Sequence, residues 1–198
     1  PSFNPLIVHV SDRAMAERLA DFSPVAMRLA DRFWPGPLTL VLPVREDSGL
    51  SPLVMAGLPT VALRLPAHPA MRAILEGLGK ALAAPSANAS ETVSPTSAAH
   101  VLATLDGRID AVVDGGPTER GLESTIIALR EDGRWSLLRE GPITRSAYRV
   151  RAIRNLHGAI RWAAICRFTC CAKAICGARH GPLAAARISP PTAPSPSA

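Results

Sequence analysis

No cysteine precedes Cys166, aromatic residues make up only 4% of the chain, and no apolar run approaches the roughly 18 residues that a bilayer crossing requires. Each absence removes a class of function. Without cysteine, the first 165 positions can hold neither a thiol nucleophile nor a thiolate metal centre nor a disulfide framework. GxSxG, HExxH, the Walker P-loop and GxGxxG are also missing, which removes the hydrolase elbow, the zinc protease helix and the two commonest nucleotide loops. The opening residues show no basic-then-apolar leader, so a cytoplasmic location is expected. Pro1-Ser2-Phe3-Asn4-Pro5-Leu6 runs straight into strand-like sequence, as if cut from something longer.

Acidic residues are absent from one part of the chain. Residues 1–145 hold 14 Lys plus Arg against 16 Asp plus Glu, a net of −2, whereas residues 146–198 hold 8 basic residues and no acid. The basic pI of 9.9 therefore belongs to the tail and says little about the partners of the domain. This break sets the expected organisation: a domain over 1–145 and a tail over 146–198. The tail carries Cys166, Cys170, Cys171 and Cys176 and closes on SPPTAPSPSA. Its CxxxCCxxxxC spacing matches no standard zinc pattern, even with His157 and His180 nearby. A shifted reading frame is a further reading of the tail, one that resequencing near codon 146 would decide. The tail is expected to be disordered.

Within the domain, strand and helix signals interleave. Residues 6–10 read as a strand. Ser11 is expected to cap a helix carrying Met15, Leu19 and Phe22, and Ser23-Pro24 to start a second with Val25, Leu29 and Phe33 on one face. Trp34-Pro35-Gly36-Pro37 stops it before a strand at 38–44. A strand at 60–65, a helix from His68-Pro69 to Gly79 and a short strand at 81–84 follow. Ser94-Pro95 is expected to open a helix ended by Gly107, and 109–113 to form a strand entering Asp114-Gly115-Gly116. Strands at 124–129 and 135–139 join across Asp132-Gly133. The pattern predicts an α/β domain built on a twisted mixed β-sheet flanked by helices, without internal repeats.

The stretch AAPSANASETVSPT (83–96) crowds hydroxyls and an amide into a loop between strand and helix. Turn and cap chemistry accounts for such residues, and so does a ligand site. Beyond it, the polar residues at strand ends are Asn4, His9, Thr60, Arg64, Ser124 and Arg139. Together they suit a polar anionic ligand, with rate gained by positioning and charge stabilisation. Arg64 ends an alternating strand and could clamp a carboxylate or phosphate. Ser94 and Thr96 would lie at a helix N-terminus that favours phosphate. Each has a plainer reading: His9 a strand-end histidine, Arg64 a surface ion-pair partner, Ser94 an N-cap. Trp34 reads as packing and Asp114 as a turn.

Six segments in order, FNPLIVHV (3–10), WPGPLTLVLP (34–43), TVALRLPAHP (60–69), APSANASETVSPTSAAHV (84–101), DGGPTERGLESTII (114–127) and LLREGPITR (137–145), resemble the YrdC/Sua5 family of threonylcarbamoyl-AMP synthases. The resemblance implies a YrdC-like fold with a concave substrate-binding face. It implies an enzyme that joins L-threonine, bicarbonate or CO2, and ATP with Mg2+, releasing pyrophosphate in a nucleotidyl transfer for t6A37 modification of tRNA. Asn4, Thr60, Ser86, Asn88, Ser94 and Arg139 would contact ATP. His9, Arg64, Ala84 and Ser124 would contact threonine. No residue is assigned covalent or acid–base work, and no protein-held metal is expected. The product would pass to a tRNA-modifying threonylcarbamoyl-transferase complex.

The family also carries an N-terminal segment with a threonine-bearing strand and a Lys-x-Arg pair, whose absence would weaken charge stabilisation and expose a sheet edge. Glu91 stands where many members have glycine. Two alternatives come with the resemblance: a double-stranded RNA or tRNA-binding module without catalysis, and a carbamoyl-adenylating domain of the hydrogenase-maturation type. The net −2 of the domain weakens the first, since RNA affinity rests on Lys and Arg meeting phosphates.

Overall fold

Alternating apolar residues on β-branched and leucine-rich segments bury one face of a strand and leave the other available. The computed structural model describes residues 5–89, 92–130, 132 and 134–148, and the strand at 125–129 follows this rule, while the central strands at 38–43 and 60–64 are buried on consecutive positions. In chain order the elements are β1 (Ile7–His9), α1 (Arg13–Leu19), α2 (Pro24–Phe33), β2 (Leu38–Pro43), α3 (Pro52–Met55), β3 (Thr60–Arg64), α4 (Pro69–Leu78), β4 (Leu82–Ala84), α5 (Ala98–Leu105), β5 (Thr125–Leu129), β6 (Trp135–Arg139) and α6 (Arg145–Tyr148). The strands form one sheet ordered β4-β1-β3-β2-β5-β6. β1 runs parallel to β3 and β2 parallel to β5, while β1–β4, β2–β3 and β5–β6 are antiparallel. This is the mixed α/β architecture expected.

The core lies on one face. Val8, Val10, Leu38, Leu40, Leu42, Val61, Leu63, Leu65, Ile127 and Leu129 pack with Met15, Ala16 and Leu19 of α1 and Ala26, Leu29 and Ala30 of α2. Ile143 and Tyr148 close the cluster, Tyr148 meeting the Trp135 ring edge-on at 5.5 Å. The packed unit thus reaches three residues past the charge break at 145. Asn4 and everything from residue 149 on, including the four cysteines, lie outside the described residues.

Four expectations need correction. Asp12, not Ser11, caps α1: its Oδ1 accepts the Met15 amide at 2.7 Å, and Ser11 Oγ donates to Asp12 Oδ2. The helix ends at Leu19 because Ala20 bridges to Val44, so Phe22 leaves the helix and packs edge-on against Trp34 at 6.1 Å. The helix after the hydroxyl-rich loop begins at Ala98 with Ser97 as cap, since the Thr118 amide takes the Thr96 carbonyl and holds it outside the helix. Residues 109–113 form no strand, having no ladder partner among the described residues, and Val113 stays 45% exposed. The single-turn helices α3 and α6 were not anticipated. The hairpin between β5 and β6 closes as expected, with Arg130 and Arg134 paired and Asp132 Oδ1 accepting the Arg134 amide. Gly133 lies outside the described residues. Asp114 does form a turn, accepting the Gly116 amide at 2.9 Å.

Candidate active site

The face of the sheet opposite the core carries a row of aligned residues. His9 of β1 is the register partner of Arg64 of β3, Arg64 of Thr39 in β2, and Thr39 of Ile126 in β5. Register partners share a face, so these side chains stand side by side across four strands. A β-bulge extends the row to β6. Ile127 pairs with Leu137, yet Ile126 pairs with Arg139, so Leu138 is the extra residue. Regular pairing would have set Leu138 on this face and Arg139 on the core face. The slip sets Arg139 opposite Ile126, aimed at the row, and leaves Leu138 39% exposed and outside the core cluster.

Hydrogen bonds lock the row. The Thr39 and Ser124 hydroxyl oxygens lie 2.8 Å apart, Arg139 Nη2 donates to Ser124 Oγ at 2.8 Å, and Arg139 Nε donates to the Ser124 carbonyl at 2.9 Å. Arg139 Nη1 pairs with Glu123 Oε2 at 2.9 Å, and Ser94 Oγ donates to Glu123 Oε1 at 2.9 Å, tying the hydroxyl-rich loop to the sheet. Arg64 Nε donates to the Gly36 carbonyl at 3.2 Å, and the Gly36 amide returns a bond to the Leu65 carbonyl. Gly36 has to be glycine for this close approach: a Cβ there would lie 2.3 Å from the Phe33 carbonyl oxygen.

The electrostatics are those of an anion site. Burial pushes the His9 imidazole down to about 4, the Arg64 charge acting in the same direction, so the ring is neutral at pH 7. Its Nδ1 is buried with no hydrogen-bond partner among the described residues. Burial also lowers the Arg64 pKa from the ordinary guanidinium value, with Glu123 opposing and Arg139 adding to the shift. Arg139 thus pairs with the Glu123 carboxylate, Arg64 lies within its field, and the neutral His9 imidazole stands beside Arg64 at the other end of the row. Such a set binds and orients anions and neutralises developing charge. Among the described residues, no three His, Cys, Asp or Glu cluster to hold a metal.

Of the ten residues singled out from sequence, the structure draws together His9, Arg64, Ser124 and Arg139, with Ser94 joined through Glu123. Ala84 is the register partner of Ile7, on the same face as the row but two positions along β4 from Leu82, the partner of His9, and Ser86 follows it half-buried. Asn88 is buried, its Nδ2 donating to the Thr92 carbonyl at 2.8 Å while Oδ1 is buried without a partner among the described residues. Thr60 shares the face but starts β3, four positions from Arg64, roughly 13 Å away along the strand. Asn4 is outside the described residues. Ser94 does not stand at a helix N-terminus, so a helix-dipole role there is withdrawn; its hydroxyl is committed to Glu123. Two members of the network, Thr39 and Glu123, were not picked out. Thr39 interrupts the apolar LTLVLP as its one polar residue, which was the available signal; Glu123 precedes Ser124 and reads locally as a surface acid.

A mixed six-stranded sheet with helices packed on one face and a polar row on the other defines an α/β domain. The family model described as "Telomere recombination", covering Sua5, YciO and YrdC, matches residues 1–141, and the chain belongs to this family. The chain is 52% identical over 146 residues to a threonylcarbamoyl-AMP synthase of Bacillus subtilis, covering 73% of this chain and 42% of that protein. It is 48% identical over 132 residues to a protein of the same name from Pyrococcus abyssi, covering 66% and 38%. It thus spans about two fifths of the length of these curated relatives. Among solved structures, Sua5 of P. abyssi complexed with L-threonine aligns with a TM-score of 0.66 and 47% identity over 71% of this chain and 41% of the other. YciO of Escherichia coli aligns with a TM-score of 0.66 at 21% identity over 75% and 71%, a likeness of fold.

Proposed function

We propose that this domain makes L-threonylcarbamoyladenylate. The threonine amine attacks CO2 and loses a proton, or condenses with bicarbonate and loses water, giving a carbamate. A carbamate oxygen then attacks the α-phosphorus of ATP, the bond to the bridging oxygen breaks, and pyrophosphate leaves. The observation that carries this reading is the Arg64–Thr39–Ser124–Arg139 row, in a chain 47% identical to a Sua5 that binds L-threonine.

In this reading Arg64 clamps the threonine carboxylate, half-buried and aimed by Gly36. His9, kept neutral, offers a lone pair or an N–H to threonine without adding charge, and Ser124 supplies a hydroxyl. Ala84 is small enough to leave room for the substrate. Arg139 faces the nucleotide, where negative charge builds in the transition state, joined by Asn4, Thr60, Ser86, Asn88 and Ser94. Mg2+ enters as part of the ATP substrate, held by the phosphates, as suits an ion that keeps its waters and leans on substrate oxygens. Rate comes from positioning and charge stabilisation.

The product is a mixed anhydride, reactive to water, so a downstream threonylcarbamoyl transfer to tRNA must consume it, in the cytoplasm where tRNA and ATP meet. No described helix is long and apolar enough to cross a membrane. Residues 1–145, with more acid than base, give no physical reason for direct RNA binding.

The test is pyrophosphate release from ATP with and without L-threonine and bicarbonate, with mass detection of the adenylate. Release that requires both co-substrates is expected. Release with carbamoyl phosphate in place of threonine would overturn the reading in favour of carbamoyl adenylation, and binding of neither ATP nor threonine would remove it.

A further inference from the structure

Two threonines are fully buried on neighbouring strands, Thr39 and Thr125, both with no exposed surface. Buried hydroxyls need partners, and the two find theirs on opposite faces. Thr125 is the register partner of core residue Leu38, and its Oγ1 accepts the Ile143 amide at 3.2 Å, fastening the chain after β6. Thr39 faces the polar row, between Arg64 on one side and Ile126 on the other, and spends its hydroxyl on Ser124. Nothing in the packing of β2 requires a hydroxyl there. Valine has the same shape, and its neighbours in sequence are Leu38 and Leu40.

We propose that Thr39 is a positioning residue for the synthase reaction, setting the Ser124 hydroxyl and, through it, the Arg139 guanidinium. A serine hydroxyl has one proton and two lone pairs. Arg139 Nη2 fills one lone pair of Ser124. Thr39 either fills the second, turning the Ser124 proton toward the site, or takes that proton and leaves a lone pair for substrate. In both cases the rotor is fixed before substrate arrives. Ser124 in turn holds two of the Arg139 nitrogens, so a Ser124 side chain that turned away would release one of them. Thr39 touches no reacting atom; it acts only through its neighbours. This inference rests on the proposed reaction for its kinetic consequence but not for its structural one.

Two measurements on the full chain separate these. The first follows the side-chain 15Nη signals of Arg139, whose Nη2 bonds the Ser124 hydroxyl, assigned by their loss in Arg139→Lys. Thr39→Val is expected to shift and broaden them, and Thr39→Ser to leave them in place. The second is steady-state kinetics: Thr39→Val should lower kcat/KM for threonine by about three- to tenfold, the worth of one hydrogen bond, with the melting temperature lowered by no more than about a few degrees. Thr39→Ser should restore it. Ser124→Ala breaks the same bond from the other side, so adding Thr39→Val to it should cost nothing more in either readout; if Thr39→Val folds poorly, Thr39→Ala set against Thr39→Ser makes the same comparison. An unmoved Arg139 signal in Thr39→Val, or a Thr39→Ser variant that behaves like Thr39→Val, overturns the inference. A wild-type chain that makes no adenylate removes the proposed function, and the Arg139 signal still decides the role of Thr39.

Discussion

One face of the sheet and the other are built from the same six strands, yet they are held together differently. On the core face, Val8, Leu38, Leu40, Leu63 and Ile127 are each at most 1% exposed and contribute through area removed from water, a non-directional effect that tolerates small errors of placement. On the opposite face, Thr39, Arg64, Ser124 and Arg139 are fixed by directional bonds to single atoms, among them a backbone carbonyl at Gly36 and one at Ser124. The first face makes the fold stable; the second uses that stability to hold charges and an unpartnered imidazole nitrogen in place. Damage to the first should therefore appear as unfolding, and damage to the second as lost chemistry in a protein that still folds.

The largest effect should come from emptying the core. Leu40→Ala removes a fully buried side chain at the centre of β2 and should destabilise by about 2–5 kcal/mol in chemical denaturation, while the folded fraction keeps its threonine KM. Arg64→Ala should do the reverse: a threonine KM raised on the order of 100-fold, from the loss of a half-buried charged bond worth about 2–5 kcal/mol, with little change in melting temperature. Gly36→Ala should blur the contrast. Its Cβ forces the Phe33 carbonyl aside, costing about 1–3 kcal/mol of stability, and moves the carbonyl that aims Arg64, so both readouts should fall together.

The His9 effect is smaller and depends on pH. Its folded value of about 4 lies below the 6.5 of the unfolded chain, so the unfolded state binds more protons between these values. Stability should fall as pH drops through that window, by no more than about 3 kcal/mol, and His9→Gln should flatten the slope in urea titrations at pH 7 and pH 4.5. Smallest is Ser23→Ala, which removes the cap on the Ala26 amide. It should cost about 1 kcal/mol in thermal unfolding and leave both faces intact.

How much of this could be read beforehand varies with the range of the interaction. Helix α4 was legible at both ends, because the His68-Pro69 opening and the Gly79 stop, at a φ of 60°, are local chemistry. The start of α5 was not: Ser94-Pro95 looks like a cap and first turn, but a contact from Thr118, more than twenty residues on, keeps that segment out of the helix. The apolar run at 109–113 shows the same limit, since a strand exists only where a partner lies beside it. His9, Arg64, Ser124 and Arg139 were each visible as polar residues at strand ends, while Thr39 hid among strand formers because threonine satisfies β propensity whether or not its hydroxyl is used.

The amino-acid order by itself determined which residues are apolar at alternate positions, and hence that a mixed α/β sheet would have one buried and one available face. It also put the chemistry-bearing residues at the ends of strands. Which of them meet was decided only in three dimensions. Alternation along Trp135-Ser136-Leu137-Leu138-Arg139 would send Leu138 to the polar face and Arg139 into the core. The bulge opposite Ile126 brings Arg139 to the polar face instead, because a charged guanidinium finds the Ser124 carbonyl, the Ser124 hydroxyl and the Glu123 carboxylate on one side of the sheet and only hydrocarbon on the other.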